Sequence, residues 1–111
     1  MIQSRIGSPS VRVDQHGIVQ WVSADFAESY GWTPASLIGL PLTEVIPPEY
    51  HPAHQTGFSR FLATQVPHLL NERLRLPVLT ADGTAAPSEV CIAAERDDDG
   101  WTFLASVNRI S

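Results

Sequence analysis

Cysteine occurs once among the 111 residues, at Cys91, and methionine only at the first position. A lone thiol excludes an intramolecular disulfide and any zinc site built on a cysteine cluster, and it fits a reducing, cytoplasmic setting. Runs of basic residues are missing as well, and the formal net charge is -5 with an isoelectric point near 5.1. That balance argues against a direct nucleic-acid partner or an anionic membrane surface, because both need clustered cations. No apolar stretch approaches the roughly 18 residues of a membrane span, and the N-terminal residues have no charged segment leading into an apolar one. Any membrane anchor of a parent protein is therefore expected outside this chain. Catalytic signatures are absent too. There is no GxSxG elbow, no HExxH, no phosphate-binding glycine loop and no helically spaced pair of carboxylates, so no enzymatic activity is expected. The run Asp97-Asp98-Asp99-Gly100 lacks the spaced ligands and closing glutamate of a calcium loop and reads as a solvated turn.

What is present describes one ordinary folded domain. Hydrophobic residues make up 43% and charged residues 17%, with a mean hydropathy of -0.03, which is enough apolar material for a single core. Residues 1–9 lack periodicity and contain Gly7, Ser8 and Pro9, so they read as a flexible lead-in to a domain over 10–111. Val11 and Val13 alternate with Arg12 and Asp14, then Asp14 to Gly17 supplies turn chemistry and Ile18 to Val22 resumes, which predicts a β-hairpin. Ser23 or Asp25 can cap a short helix carrying Phe26, Ala27 and Tyr30 and stopped by Gly31. Thr33-Pro34 opens a second, over Ala35 to Ile38, and Leu42 to Ile46 makes one further turn.

The stretch from Ile46 to Thr64 reads as one amphipathic helix, with Pro48 in its first turn. His54, Phe58, Phe61 and Leu62 fall on a single stripe at 3.6 residues per turn. His54 is either a core histidine with satisfied ring nitrogens or a ligand to a metal or cofactor. His51, one turn earlier, has no obvious third metal ligand to join it and reads as a surface residue. Leu69 to Leu79 then predicts a strand with Leu74, Leu76 and Val78 on one face and Arg73 and Arg75 on the other. Asp82-Gly83 turns the chain into a strand over Ala86 to Arg96, where Pro87 suggests an edge or a bulge. A last strand spans Trp101 to Ile110. The sum is an α+β order, with helices gathered on one face of a five-stranded antiparallel sheet.

Over residues 10–111 the sequence resembles a PAS domain. The resemblance rests on Gly17-Ile18-Val19, the AESYGW segment Ala27 to Trp32, Leu37-Ile38-Gly39-Leu40-Pro41-Leu42 leading to Ile46-Pro47, Asp82-Gly83-Thr84, and Pro87-Ser88-Glu89-Val90. It implies the PAS fold, with short helices and one longer helix packed on one face of the sheet. It also implies a sensory or interaction module of a bacterial signalling protein, taking a small ligand in an apolar cavity and regulating an attached effector domain. The cavity residues expected are Trp32, His54, Phe58, Phe61, Leu62, Leu74, Leu76, Ile92 and Phe103. Within the family, His54 to Thr64 followed by Leu69-Leu70 is similar to the haem-binding PAS domains of oxygen-sensing kinases, in which a histidine at the place of His54 holds the iron. Those sensors use an arginine in the next strand, and the matching position here is close to Leu74. Flavin is not expected, because its branch needs a reactive cysteine on the helix and Cys91 lies on a late strand. The Asp-Ile-Thr triplet that often closes a PAS domain appears as Arg109-Ile110-Ser111. Three functions follow as expectations: a ligand-responsive sensor, a haem-dependent gas or redox sensor through His54, and a ligand-free homodimerisation module using the outer sheet face.

Overall fold

The computed structural model describes residues 9–64 and 73–110, without the side chains of residues 57, 58, 60–64 and 97. Strand β1 (Val11–Asp14) and β2 (Val19–Val22) form the first hairpin. Asp14 closes its turn, since its Oδ1 accepts the backbone N–H groups of His16 at 2.8 Å and Ile18 at 3.0 Å. Three strands follow the helical region: β3 (Arg73–Leu79), β4 (Ala85–Asp97) and β5 (Gly100–Arg109). The sheet order is β2-β1-β5-β4-β3 with every neighbouring pair antiparallel. The first and last strands thus meet at its centre, and the helical region crosses between the two edge strands.

Residues opposite one another in an antiparallel ladder share a face. Val22, Val11, Ala105 and Ile92 form one such row, Val19, Val13, Phe103 and Ala94 the next, and Leu74, Val90 and Val107 a third. This is the helix-side face. Trp21, Arg12, Leu104 and Ala93 form a row on the other side. Between Arg12 and Val13 the register with β2 shifts, because Gln20 is an extra residue there, and the bulge keeps Val19 and Val22 both inward.

Helix α1 (Ala24–Tyr30) is capped by Ser23, whose Oγ accepts the Phe26 N–H at 3.0 Å, and ends at Gly31 with φ 79°. Helix α2 (Pro34–Leu37) opens with Thr33 at its N-cap and Pro34 at its first position. A 3-10 turn over Leu42–Val45 follows. Val19 and Gly17 bond the backbone of Gly39, Leu40 and Leu42, which covers the start of the outer edge of β2.

The long helix starts later than its sequence suggests. Pro48–Tyr50 is a separate 3-10 turn, and helix α3 runs from His51 to Thr64. Pro52 explains the break. Were the helix to begin at Pro48, Pro52 would sit in its interior with no N–H to close the turn, whereas at the second position of α3 that N–H is not needed. Pro87 also departs from expectation, since β4 lies inside the sheet between β3 and β5. Pro87 stands opposite Pro77, so this must be a non-hydrogen-bonded pair, in which neither residue owes the other an N–H. Its carbonyl accepts the Ile110 N–H at 2.8 Å. The predicted start of the third strand, residues 69–72, lies outside the described residues.

Candidate functional site

The helix-side face is closed at one end and looser at the other. Under α1, Tyr30 is 1% exposed and its hydroxyl lies 2.6 Å from Ser88 Oγ, while Phe26 packs on the Tyr30 ring at 4.8 Å between centroids. Val78, Ala86 and Val90 are buried in the same region. Trp32 is half-buried and its Nε1–H donates to the Leu79 carbonyl at 3.0 Å, which ties the α1–α2 link to the end of β3. Burial raises the Tyr30 pKa, partly offset by the Ser88 hydrogen bond and the Arg109 charge.

Further along, the inward side chains are less covered. Leu74, Ile92 and Ala94 are apolar and only half-buried, although they share rows with buried Val90, Val11 and Phe103. Half-exposed aliphatic groups on an inner face mark a place where packing is incomplete. Phe103 itself is 8% exposed and belongs to the closed core. Leu76 faces the same way, opposite Ser88, yet stands 36% exposed near the sheet edge, so it contributes rim surface. Of the remaining predicted lining residues, the side chains of Phe58, Phe61 and Leu62 lie outside the described residues.

His54 is half-buried on the first turns of α3. Desolvation by burial, followed by the nearby His51, lowers its pKa below the ordinary 6.5, so the ring is a neutral imidazole at neutral pH. His51, read from sequence as a chance surface residue, has a structural task. Its Nε2–H donates to the carbonyls of Ile46 at 2.7 Å and Thr43 at 3.1 Å, joining the start of α3 to the preceding 3-10 turn. Among the described residues no group of three or more His, Cys, Asp or Glu is placed to hold a metal ion.

Arg73 and Arg75 point to the outer face, opposite Cys91 and Glu89, and Arg73 forms an exposed ion pair with Glu89 at 3.9 Å. Between them, Leu74 takes the inner position. An open groove of about 690 Å³, where the β1–β2 and β4–β5 turns meet, is walled by Arg12, Asp14, His16, Glu95, Arg96 and Asp99. Among the described residues, none of the predicted cavity residues lines it. Its charges of both signs compensate one another and suit water better than an apolar guest.

Among the described residues no helix is long and apolar enough to cross a membrane. A model of the PAS fold matches residues 5–106. An uncharacterised protein of Azorhizobium caulinodans is 34% identical over the whole of this chain, which corresponds to 15% of that protein. The sensor protein FixL of Bradyrhizobium diazoefficiens is 28% identical over 72% of the chain and 16% of its own length. The chain therefore spans about one-sixth of the curated relatives it matches. Among solved structures, the PAS domain of the quorum-sensing receptor RpfR from Cronobacter turicensis, in complex with C12:0, superposes with a TM-score of 0.68 at 16% identity, covering 99% of this chain and 100% of that one. Sheet order, helix placement and the match over residues 5–106 agree, and the chain belongs to the PAS family.

Proposed function

We propose that this PAS domain is the sensory module of a signalling protein, and that the space between α3 and the helix-side face at Leu74 and Ile92 takes a small, largely apolar ligand. The observation that carries the reading is the half-burial of Leu74, Ile92 and Ala94 beside buried Val90, Val11 and Phe103 in the same rows. Apolar walls with few polar groups are the usual make-up of such a site. The fatty-acyl ligand of the RpfR domain supports an aliphatic guest. A ligand there would favour one of two arrangements of the helical region, and an attached effector domain would respond to the shift. Thermal denaturation with dodecanoic acid tests this. A saturable rise in midpoint supports the reading, and no shift at saturating ligand refutes it for that class.

A second reading is favoured by the placement of His54, half-buried on the first turns of α3, where burial lowers its pKa and favours the neutral imidazole that binds iron. Haem would be held through His54, against walls that include Leu74 and Ile92, and would supply an iron centre for a gas or redox signal. The residues fit the histidine side of that site. No arginine comes to the inner face of β3, so any polar contact on the other side must come from elsewhere than Arg73 or Arg75. Absorption spectra with added hemin separate the readings. A sharp Soret band lost in His54→Ala supports haem, and a broad band indifferent to that substitution removes it.

A further inference from the structure

We propose that Arg109 is a latch coupling the C-terminal end of α1 to the end of β5, so that displacement of the helix is felt at the last residues of the sheet. The inference rests on geometry and holds whether or not the interior takes a ligand.

The carbonyls at the end of a helix have no partner within it. In α1 the Gly31 N–H reaches Ala27 and Glu28, the Trp32 N–H bonds the Ala27 carbonyl at 2.8 Å, and the Ala81 N–H bonds that of Tyr30 at 2.9 Å. The Ser29 carbonyl is satisfied from 80 residues away, by Arg109 Nη1 at 2.8 Å. No basic residue stands in the last turn of α1. Arg109 therefore supplies the cation that a helix C-terminus favours. The same guanidinium lies over the Tyr30 ring, 5.9 Å from its centroid.

Arg109 stands opposite Ser88 in the ladder, and Ser88 holds the Tyr30 hydroxyl at 2.6 Å. The next residue, Ile110, bonds the Pro87 carbonyl through its backbone N–H at 2.8 Å. The last turn of α1, the start of β4 and the end of β5 are thus joined through side chains. An exposed arginine at the end of a strand has no need of such contacts for solubility. Here its fork and its aromatic stack both fall on one helix, which gives the strand end a fixed relation to α1.

Amide hydrogen exchange on the whole chain tests the latch, with the Ile110 amide read against that of Ala105 in the middle of β5, so that changes in global stability cancel. In Arg109→Gln the Ile110 amide should exchange about tenfold faster relative to Ala105, the size expected for loss of a charge-assisted hydrogen bond. Ser23→Ala loosens α1 from its far end. In the native background it should speed Ile110 exchange several-fold, and in the Arg109→Gln background it should add nothing. Arg109→Lys, which keeps the charge without the planar fork, should fall between. The proposal is overturned if Arg109→Gln leaves the ratio unchanged, or if Ser23→Ala alters it equally in both backgrounds.

Discussion

Removal of the Tyr30–Ser88 contact from either side should have unequal costs. Tyr30 and Ser88 are each 1% exposed, and their oxygens are 2.6 Å apart. Ser88 Oγ also donates to the Ala86 carbonyl at 3.0 Å, so the hydrogen between the two side chains comes from the tyrosine. In Tyr30→Phe, Ser88 keeps its bond to Ala86 and the loss is one net hydrogen bond, about 1 kcal/mol. In Ser88→Ala, the tyrosine hydroxyl stays buried without its acceptor, which costs about 2 kcal/mol. The double variant leaves phenylalanine against alanine and should cost about 1 kcal/mol, so the two effects are strongly non-additive. Urea denaturation reads this directly, provided the slope is unchanged among the variants. By heat the single variants should differ by about 4–8 °C per kcal/mol. Equal single costs that sum in the double variant would mean that the hydroxyl reaches water, and would refute the closed end of the site.

Three further outcomes follow from the same structure. Ser23→Ala should destabilise by about 1 kcal/mol through loss of the cap on the Phe26 N–H, measured by urea denaturation. Gly100→Ala should cost about 1–3 kcal/mol, because Gly100 has φ +119° and an added Cβ would run into Gln15 Oε1; pairing it with Gln15→Ala should recover the steric part and leave the backbone part. Stability should fall as pH drops below the ordinary histidine value of 6.5. His54 has its pKa lowered in the fold, so the unfolded chain takes up the proton first and the loss accumulates as pH falls through the folded value. His54→Gln should flatten that slope between about pH 7 and 5.5, and an unchanged slope would place the titration elsewhere.

Much of the architecture was legible because its signals are local. Val11, Val13, Ser23, Gly31, Thr33-Pro34 and Asp82-Gly83 each specify their element through alternation, capping or turn chemistry, and all stand where those rules put them. The start of α3 is harder to place because Pro48 and Pro52 both suit a first turn, and only one register spares an interior proline. Pro87 is ambiguous for a different reason. That it faces Pro77 depends on how two distant strands align, which alternation alone does not give. The contacts around the site were hidden for the same cause. Ser88 with Tyr30, Arg109 with Ser29 and Gln15 with the β4–β5 turn pair residues 58, 80 and 84 positions apart. His51 carried a weak local signal, since a histidine five residues after an isoleucine that ends a turn can reach back to its carbonyl.

The central claim is that the inner face at Leu74 and Ile92 borders space for a ligand, and Ile92→Phe tests it most directly. Adding this volume to a closed core costs about 1–3 kcal/mol. If space is present, the substitution should change stability by less than about 0.5 kcal/mol in urea and abolish the thermal shift given by dodecanoic acid, since the larger ring would occupy the ligand's place. A loss of about 2 kcal/mol with the dodecanoic acid shift intact would contradict the account, because Ile92 would then be packed and any ligand would bind elsewhere.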